Sequence, residues 1–334
     1  MRKISIALLA GLLSLGCLNA QDAKVETNQF TVVKELPITS IKDQGNSGTC
    51  WSYSTIGFLE AELLRMGKPE YDLSDMFVVS HSYRDKADKY VRLHGKLNFG
   101  QGGSFYDVLY VFKHYGAVPE EVMTGLNYGT KRNAHNEMAD AAKGYLDAIV
   151  KNSNEKLSPV WRKAFDAMID GYLGELPQNF TYKGKSYTPM TFAKSLGINA
   201  DDYVSLTSYT HHPFYTKFGL EIEDNWRWSD SYNLPIDELM QVMRNAIQTG
   251  YPIAWGADVS EDGFSRRTGK HRCVDTVPDT KSTAGVGSDQ SRWTGEQAGA
   301  KINATDSKGE KTITQEMRQL AYDNWETTDD HGMQ

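Results

Sequence analysis

Beyond its N-terminal segment the chain has no apolar run approaching the ~18 to 20 residues that a bilayer span needs. Cysteine is scarce as well. Three cysteines in 334 residues make no disulfide framework, and an oxidising compartment has at most a Cys50–Cys273 pair to close once Cys17 is removed. Basic charge is in deficit: 36 Lys and Arg stand against 43 Asp and Glu, for a net charge of −7. Phosphate binding needs clustered Lys and Arg, so no nucleic-acid partner is expected. The remaining composition, 40% apolar and 24% charged, is that of an ordinary globular protein. At this length about 75% of the unfolded surface can be buried, in one large domain or two lobes.

The N-terminus carries the one targeting signal. Arg2 and Lys3 precede an apolar run from Ile4 to Leu15, and Leu18-Asn19-Ala20 supplies a small residue before Gln21. This is a basic region, an apolar region of suitable length and a weak small-residue cleavage site. It predicts a signal peptide over residues 1–20 and an exported chain, periplasmic or secreted, with no stable membrane span after cleavage. A short membrane anchor is the alternative. A lipoprotein cut before Cys17 is a variant of it, which Ser14-Leu15-Gly16 fits poorly.

The most informative run is Gln44-Gly45-Asn46-Ser47-Gly48-Thr49-Cys50-Trp51-Ser52-Tyr53-Ser54. Glycines and small polar residues make a loop, and helical spacing follows at Ile56, Leu59 and Leu63, widened by Trp51, Phe58 and Leu64. Gly67 and Pro69 mark the helix end. Cys50 thus falls at a helix N-terminus, where unpaired N–H groups and the positive dipole end favour a thiolate.

These residues resemble the active-site loop of the papain superfamily, and in particular its bleomycin hydrolase/aminopeptidase C branch. The resemblance implies that Cys50 is the nucleophile, that Trp51 follows it as in the family, and that Gln44 donates to the oxyanion beside the Cys50 backbone N–H. Ser47 stands where papain itself has a disulfide cysteine, a substitution typical of that branch. Leu73-Ser74-Asp75-Met76 resembles the family's Leu-Ser helix start, with Ser74 as N-cap. Asn98-Phe99-Gly100-Gln101-Gly102-Gly103-Ser104 resembles the glycine wall that binds substrate. There Gly102 and Gly103, lacking side chains, would let an extended peptide approach. A helix with an aromatic core stripe is predicted over Phe105 to Tyr115.

The helix terminus cannot activate the thiol alone. A free thiol titrates near ~8.5 and the papain cysteine near ~3–4, a difference of roughly 7 kcal/mol at ~1.4 kcal/mol per unit. A helix terminus supplies at most ~2 kcal/mol. A nearby imidazolium must provide most of the rest.

Papain-like histidines lie ~130–150 residues after the cysteine, and no histidine at that distance has a convincing setting. His211 and His212 precede Pro213 in an aromatic loop; adjacent residues point apart, so no metal is assigned there. The intervening length reads as a helical insertion, with one face at Met138, Ala141, Tyr145 and Ile149 and another at Trp161, Phe165, Met168 and Tyr172. Tyr182 to Lys185 reads as a hairpin turn and Thr188-Pro189 as a helix start. In the second lobe, Asp201 to Tyr209 is a strand candidate, Ile236 to Ile247 a helix ended by Gly250, and Tyr251 to Ala257 a buried strand. Arg266 to Arg272 form a basic loop beside Cys273, and Asn179 and Asn303 begin glycosylation acceptor patterns. After a short helix over Thr312 to Asn324, His331-Gly332-Met333 resembles the branch's catalytic histidine opening a strand. His331 is therefore the expected base.

The resulting expectation is an α+β, papain-like two-lobe cysteine peptidase fold with a helical insertion and an incomplete C-terminal antiparallel β lobe. Its domain would span 21–334, with a helical lobe at about 40–130, an insertion at about 131–200 and a β-rich lobe at about 201–334. The expected activity is peptide-bond hydrolysis through a Cys50 thioester, by an aminopeptidase acting on peptide substrates without cofactor. An endopeptidase and a catalytically dead peptide-binding relic are the rival readings. By resemblance the protein is a homo-oligomer. No residues follow His331 to supply the family's orienting Asn or its tail carboxylate, so an incomplete enzyme is expected from this chain.

Overall fold

The loop that precedes Cys50 cannot continue a helix, because Gly45 takes φ +67° and Gly48 follows. From Cys50 onward the apolar spacing prevails. The computed structural model describes residues 31–257 and 314–324 and the backbone of 331–333. The chain divides into two compact units, 1–35 and 36–334. Of the first, residues 31–35 are described, as exposed chain without regular structure.

In the second unit, α1 (Cys50–Arg65) buries Trp51, Ile56, Leu59 and Leu63. Met66 and Gly67 close it, with Gly67 at φ +74°. Helix α2 (Asp75–Arg92) begins at Ser74, whose hydroxyl accepts from the Phe77 N–H at 3.0 Å. Helix α3 (Phe105–His114) carries a capping box between Ser104 and Asp107 and buries Val108, Val111 and Phe112. The expected aromatic stripe is therefore only partly buried, and the aliphatic residues beside it form the core.

Helices α4 (Asn136–Val150) and α5 (Trp161–Leu173) complete this core, but rotated from the expected faces. The buried residues are Met138, Ala142 and Leu146 in α4, and Phe165, Ile169 and Leu173 in α5. Strict four-residue steps drift around a helix, and the buried line follows the drift. Strands β1 (Phe180–Tyr182) and β2 (Lys185–Tyr187) pair antiparallel across Lys183 and Gly184, both at positive φ. Thr188 then caps α6 (Pro189–Leu196).

The following segment is sparser. Strand β3 is only Leu206–Thr207, since Ala200–Asp202 coil into a helical turn in place of the expected longer strand. With β4 (Lys217–Gly219) and β5 (Asp230–Asn233) it makes a mixed sheet of order β3-β5-β4. The β3–β5 pair is parallel and the β4–β5 pair antiparallel. Helix α7 (Ile236–Thr249) ends at Gly250, as its sequence predicts. Strand β6 shrinks to Trp255–Ala257 and its first two residues are exposed, contrary to the buried strand expected. Helix α8 (Gln315–Asp323) starts at Thr314. Strand β7 (His331–Met333) pairs antiparallel with β6, placing His331 opposite Ala257.

Candidate active site

The Cys50 loop is tied on three sides. Gly45 must be glycine: at its positive φ, a Cβ would come within 2.6 Å of the Asn133 carbonyl oxygen. The Asn46 N–H donates to that same oxygen at 2.8 Å, and the His135 N–H donates to the Asn46 carbonyl at 3.1 Å. Burial pushes His135 down to about 4, so this imidazole behind the loop is neutral at physiological pH. Within the loop, the Ser47 hydroxyl donates to the Gln44 carbonyl at 2.8 Å and lies 2.6 Å from the Thr49 hydroxyl.

Gln101 makes the third tie. Its Oε1 accepts from the Gly48 N–H at 2.8 Å, its carbonyl accepts from the Trp51 indole at 3.0 Å, and its Nε2 donates to Asn136 at 2.9 Å. One buried residue thus fixes both sides of Cys50, Gly48 through its side chain and Trp51 through its backbone carbonyl. Sequence reading placed Gln101 in the glycine run but gave it no role, because nothing in a linear pattern joins positions 48, 51 and 101.

Cys50 opens α1 as a half-buried thiol. The Thr49 hydroxyl is engaged with Ser47 and makes no side-chain cap, so the helix N-terminus is presented uncapped at the cysteine. Gln44 lies in the same loop, with its Nε2 donating to the Ser47 carbonyl at 2.8 Å. An amide nitrogen has two donors, so one further N–H remains on that group. The strand that opens with His331 runs against α1. The two ends of the expected catalytic pair are therefore carried on neighbouring elements.

The glycine wall is held rigidly. Lys86 donates to the carbonyls of Gly102 at 2.6 Å and Gly100 at 3.2 Å. Buried Asp107 accepts from Ser104 N–H, from the Trp226 indole at 2.9 Å and from Arg227 at 2.6 Å. Burial pushes its carboxyl up, and Arg227 and the Ser104 N–H partly offset this. Arg227 also bridges to Asp85 at 2.7 Å. A Cβ on Gly103 would come within 2.8 Å of the Trp51 ring, and one on Gly102 within 2.1 Å of the Asp224 carboxylate. The space left by the missing side chains is thus filled by this protein's own groups on that side. The clasp from Asp224 to Arg227 was not foreseen from sequence.

Residues 26–160 match the model of the papain family of cysteine proteases. Aminopeptidase G of Lactobacillus delbrueckii subsp. lactis is 24% identical over 274 residues, covering 70% of this chain and 62% of that protein. Aminopeptidase E of Lactobacillus helveticus is 26% identical over 285 residues, covering 70% and 63%. Over part of its length the chain is thus similar to the papain family. Three of the relatives it matches are named as aminopeptidases, G, E and C. The crystal structure of PepW from Lactobacillus rhamnosis shares the papain-like fold at a TM-score of 0.55, with 20% identity over 68% of this chain and 60% of that one. The chain spans about three fifths of the length of the curated relatives it matches. Cys273, Asn303, the basic loop and the N-terminal signal all lie outside the described residues.

Proposed function

We propose that the chain is a cysteine peptidase of aminopeptidase type acting on peptides. The observation that carries this reading is the braced loop that sets Cys50 at the start of α1, with the His331 strand against the same helix. In this reading the Cys50 thiolate attacks the peptide carbonyl carbon and forms a C–S bond. Gln44 and the Cys50 N–H hold the resulting oxyanion. The His331 imidazolium gives its proton to the amine as the C–N bond breaks. Water, deprotonated by the neutral imidazole, then cleaves the thioester and releases the acid and the thiolate. The backbone edge of Gly102 and Gly103 forms the substrate wall; Trp51, expected from sequence to touch substrate, is instead buried behind Gly103 and backs that wall.

Relatives named aminopeptidase G and E support the exopeptidase form. Assays of paired peptides with a free and a blocked amine test it: turnover of the free-amine peptides alone is expected, and preference for the blocked ones would make this an endopeptidase. Cys50→Ala should abolish hydrolysis and labelling by a thiol-directed epoxide while the circular dichroism stays unchanged. Turnover retained in that variant would end the cysteine-peptidase reading. Export with cleavage after Ala20, motivated by Arg2, Lys3 and the apolar run, and assembly into a homo-oligomer complete the proposal. N-terminal sequencing and light scattering test these two parts.

A further inference from the structure

Adjacent side chains diverge in an extended strand, but His211 and His212 lie in a bend before Pro213. Their rings come to 4.7 Å between centroids. Both Nε2 atoms meet the carboxylate of Glu221, His211 at 3.0 Å from one oxygen and His212 at 2.9 Å from the other. The three ligating atoms lie within 4.8 Å of one another. We propose that His211, His212 and Glu221 form a zinc site.

Two imidazoles and a carboxylate are a donor set that suits zinc among the divalent ions. Zinc bound at about 2.0–2.2 Å in a tetrahedron spaces its ligand atoms roughly 3.3–3.5 Å apart, so the two contacts to Glu221 open by a few tenths of an ångström while the widest separation, up to 4.8 Å, closes by about an ångström. The rings are already oriented. His212 stacks on Phe218 at 4.1 Å and 20°, and His211 stacks on Tyr322 at 5.4 Å and 14°. A preformed ring orientation lowers the entropy cost of gathering ligands.

Gln319 of α8 holds the His211 ring from behind. Without metal, each Nε2–H donates to Glu221, and Gln319 Nε2, 3.1 Å away, donates to His211 Nδ1. Zinc on Nε2 moves the His211 proton to Nδ1, and Gln319 must then turn its Oε1, 3.4 Å away, onto that proton. His211, His212 and Glu221 side chains are 28%, 35% and 55% exposed, so a water completes the coordination. Gln319 Oε1 also accepts from the Thr210 N–H at 2.6 Å. Zinc would thereby brace residues 211–221 against one another, beside the Gln319 tie to α8.

The test uses the full chain, stripped of metal and with its thiols alkylated so that no cysteine binds the probe. Equilibrium dialysis against zinc should find one ion per chain at micromolar free zinc, and cobalt should give the visible absorption of a tetrahedral site. Zinc should also raise the melting temperature. His212→Ala and Glu221→Gln should each weaken binding roughly 10-fold or more and remove the zinc-dependent rise in melting temperature. Glu221→His, which offers a third imidazole, should keep both. Far-UV circular dichroism identifies any variant that fails to fold, and Glu221→Gln, which preserves shape, then decides. Zinc uptake equal in the parent and in Glu221→Gln, or no uptake by the parent at micromolar zinc, would overturn the proposal.

Discussion

Helices α1 and α7 have similar lengths, 16 and 14 residues, and both have clear local start and stop signals. Yet α1 buries Ile56, Leu59 and Leu63 completely or nearly so, whereas no residue of α7 is buried. Met240, Val242 and Ile247 of α7 are 44%, 41% and 39% exposed. An amphipathic pattern therefore specifies a helix and the side it would bury, but not how deeply that side is covered. Depth comes from neighbours, and α1 has α2, α3 and β7 packed around it.

The comparison breaks most directly on core truncations. Leu63→Ala should cost about 3–5 kcal/mol, since it opens a cavity in a fully buried site. Met240→Ala in α7 should stay within about 0.5 kcal/mol, as exposed substitutions do. Urea unfolding of the two variants measures both, and equal losses would show that α7 is covered as deeply as α1. Gln101→Ala sharpens the comparison within the first region. It removes the partners of Gly48 N–H and Asn136 while the Trp51 bond to the backbone persists. A loss of about 1–2 kcal/mol is expected for the unsatisfied groups. Under the proposed mechanism, kcat should fall more than KM rises, because the loop shifts at the nucleophile. A variant with unchanged kcat would reduce Gln101 to a packing residue.

A further effect is electrostatic. Burial, reinforced by nearby Asp72, pushes Glu120 up to about 7 from an ordinary 4.5. The native state then binds this proton more tightly than the unfolded chain does, so the proton favours folding. The contribution is fully present below pH 4.5 and is lost as pH rises through about 7. Glu120→Gln cannot ionise. Its stability relative to the parent should therefore shift in its favour between about pH 5 and about pH 8, read from denaturation midpoints. A pH-independent difference would mean that Glu120 is solvated like a surface carboxylate.

Much of this was legible in the sequence where the signal is local. The start of α1, the Ser74 cap, the Lys183-Gly184 turn, the Pro189 helix start and the Gly250 stop each rest on residues within a few positions of one another. The faces of α4 and α5 were misjudged because partial burial on either side of a stripe looks alike in sequence. Strand lengths after residue 200 were overestimated, since a strand ends where its partner does and that partner is remote. The ties from Gln101 to Gly48, and from Arg227 to Asp107 and Asp85, join positions 53 to 142 apart and leave no linear trace. The convergence of His211 and His212 was missed for another reason. It depends on a bend, where the alternation rule of strands does not apply.

The short ladder between β6 and β7 has a consequence for how activity would be distributed among molecules. It holds three residue pairs, with His331 opposite Ala257. A slip of one residue turns every side chain of a strand to its opposite face, and three pairs oppose such a slip only weakly. The strand that opens with His331 would then exchange between registers within each molecule, and every chain would share one averaged turnover. Titration with a slow thiol-directed label would return a full site per chain, while turnover per titrated site would rise in any variant that lengthens the ladder.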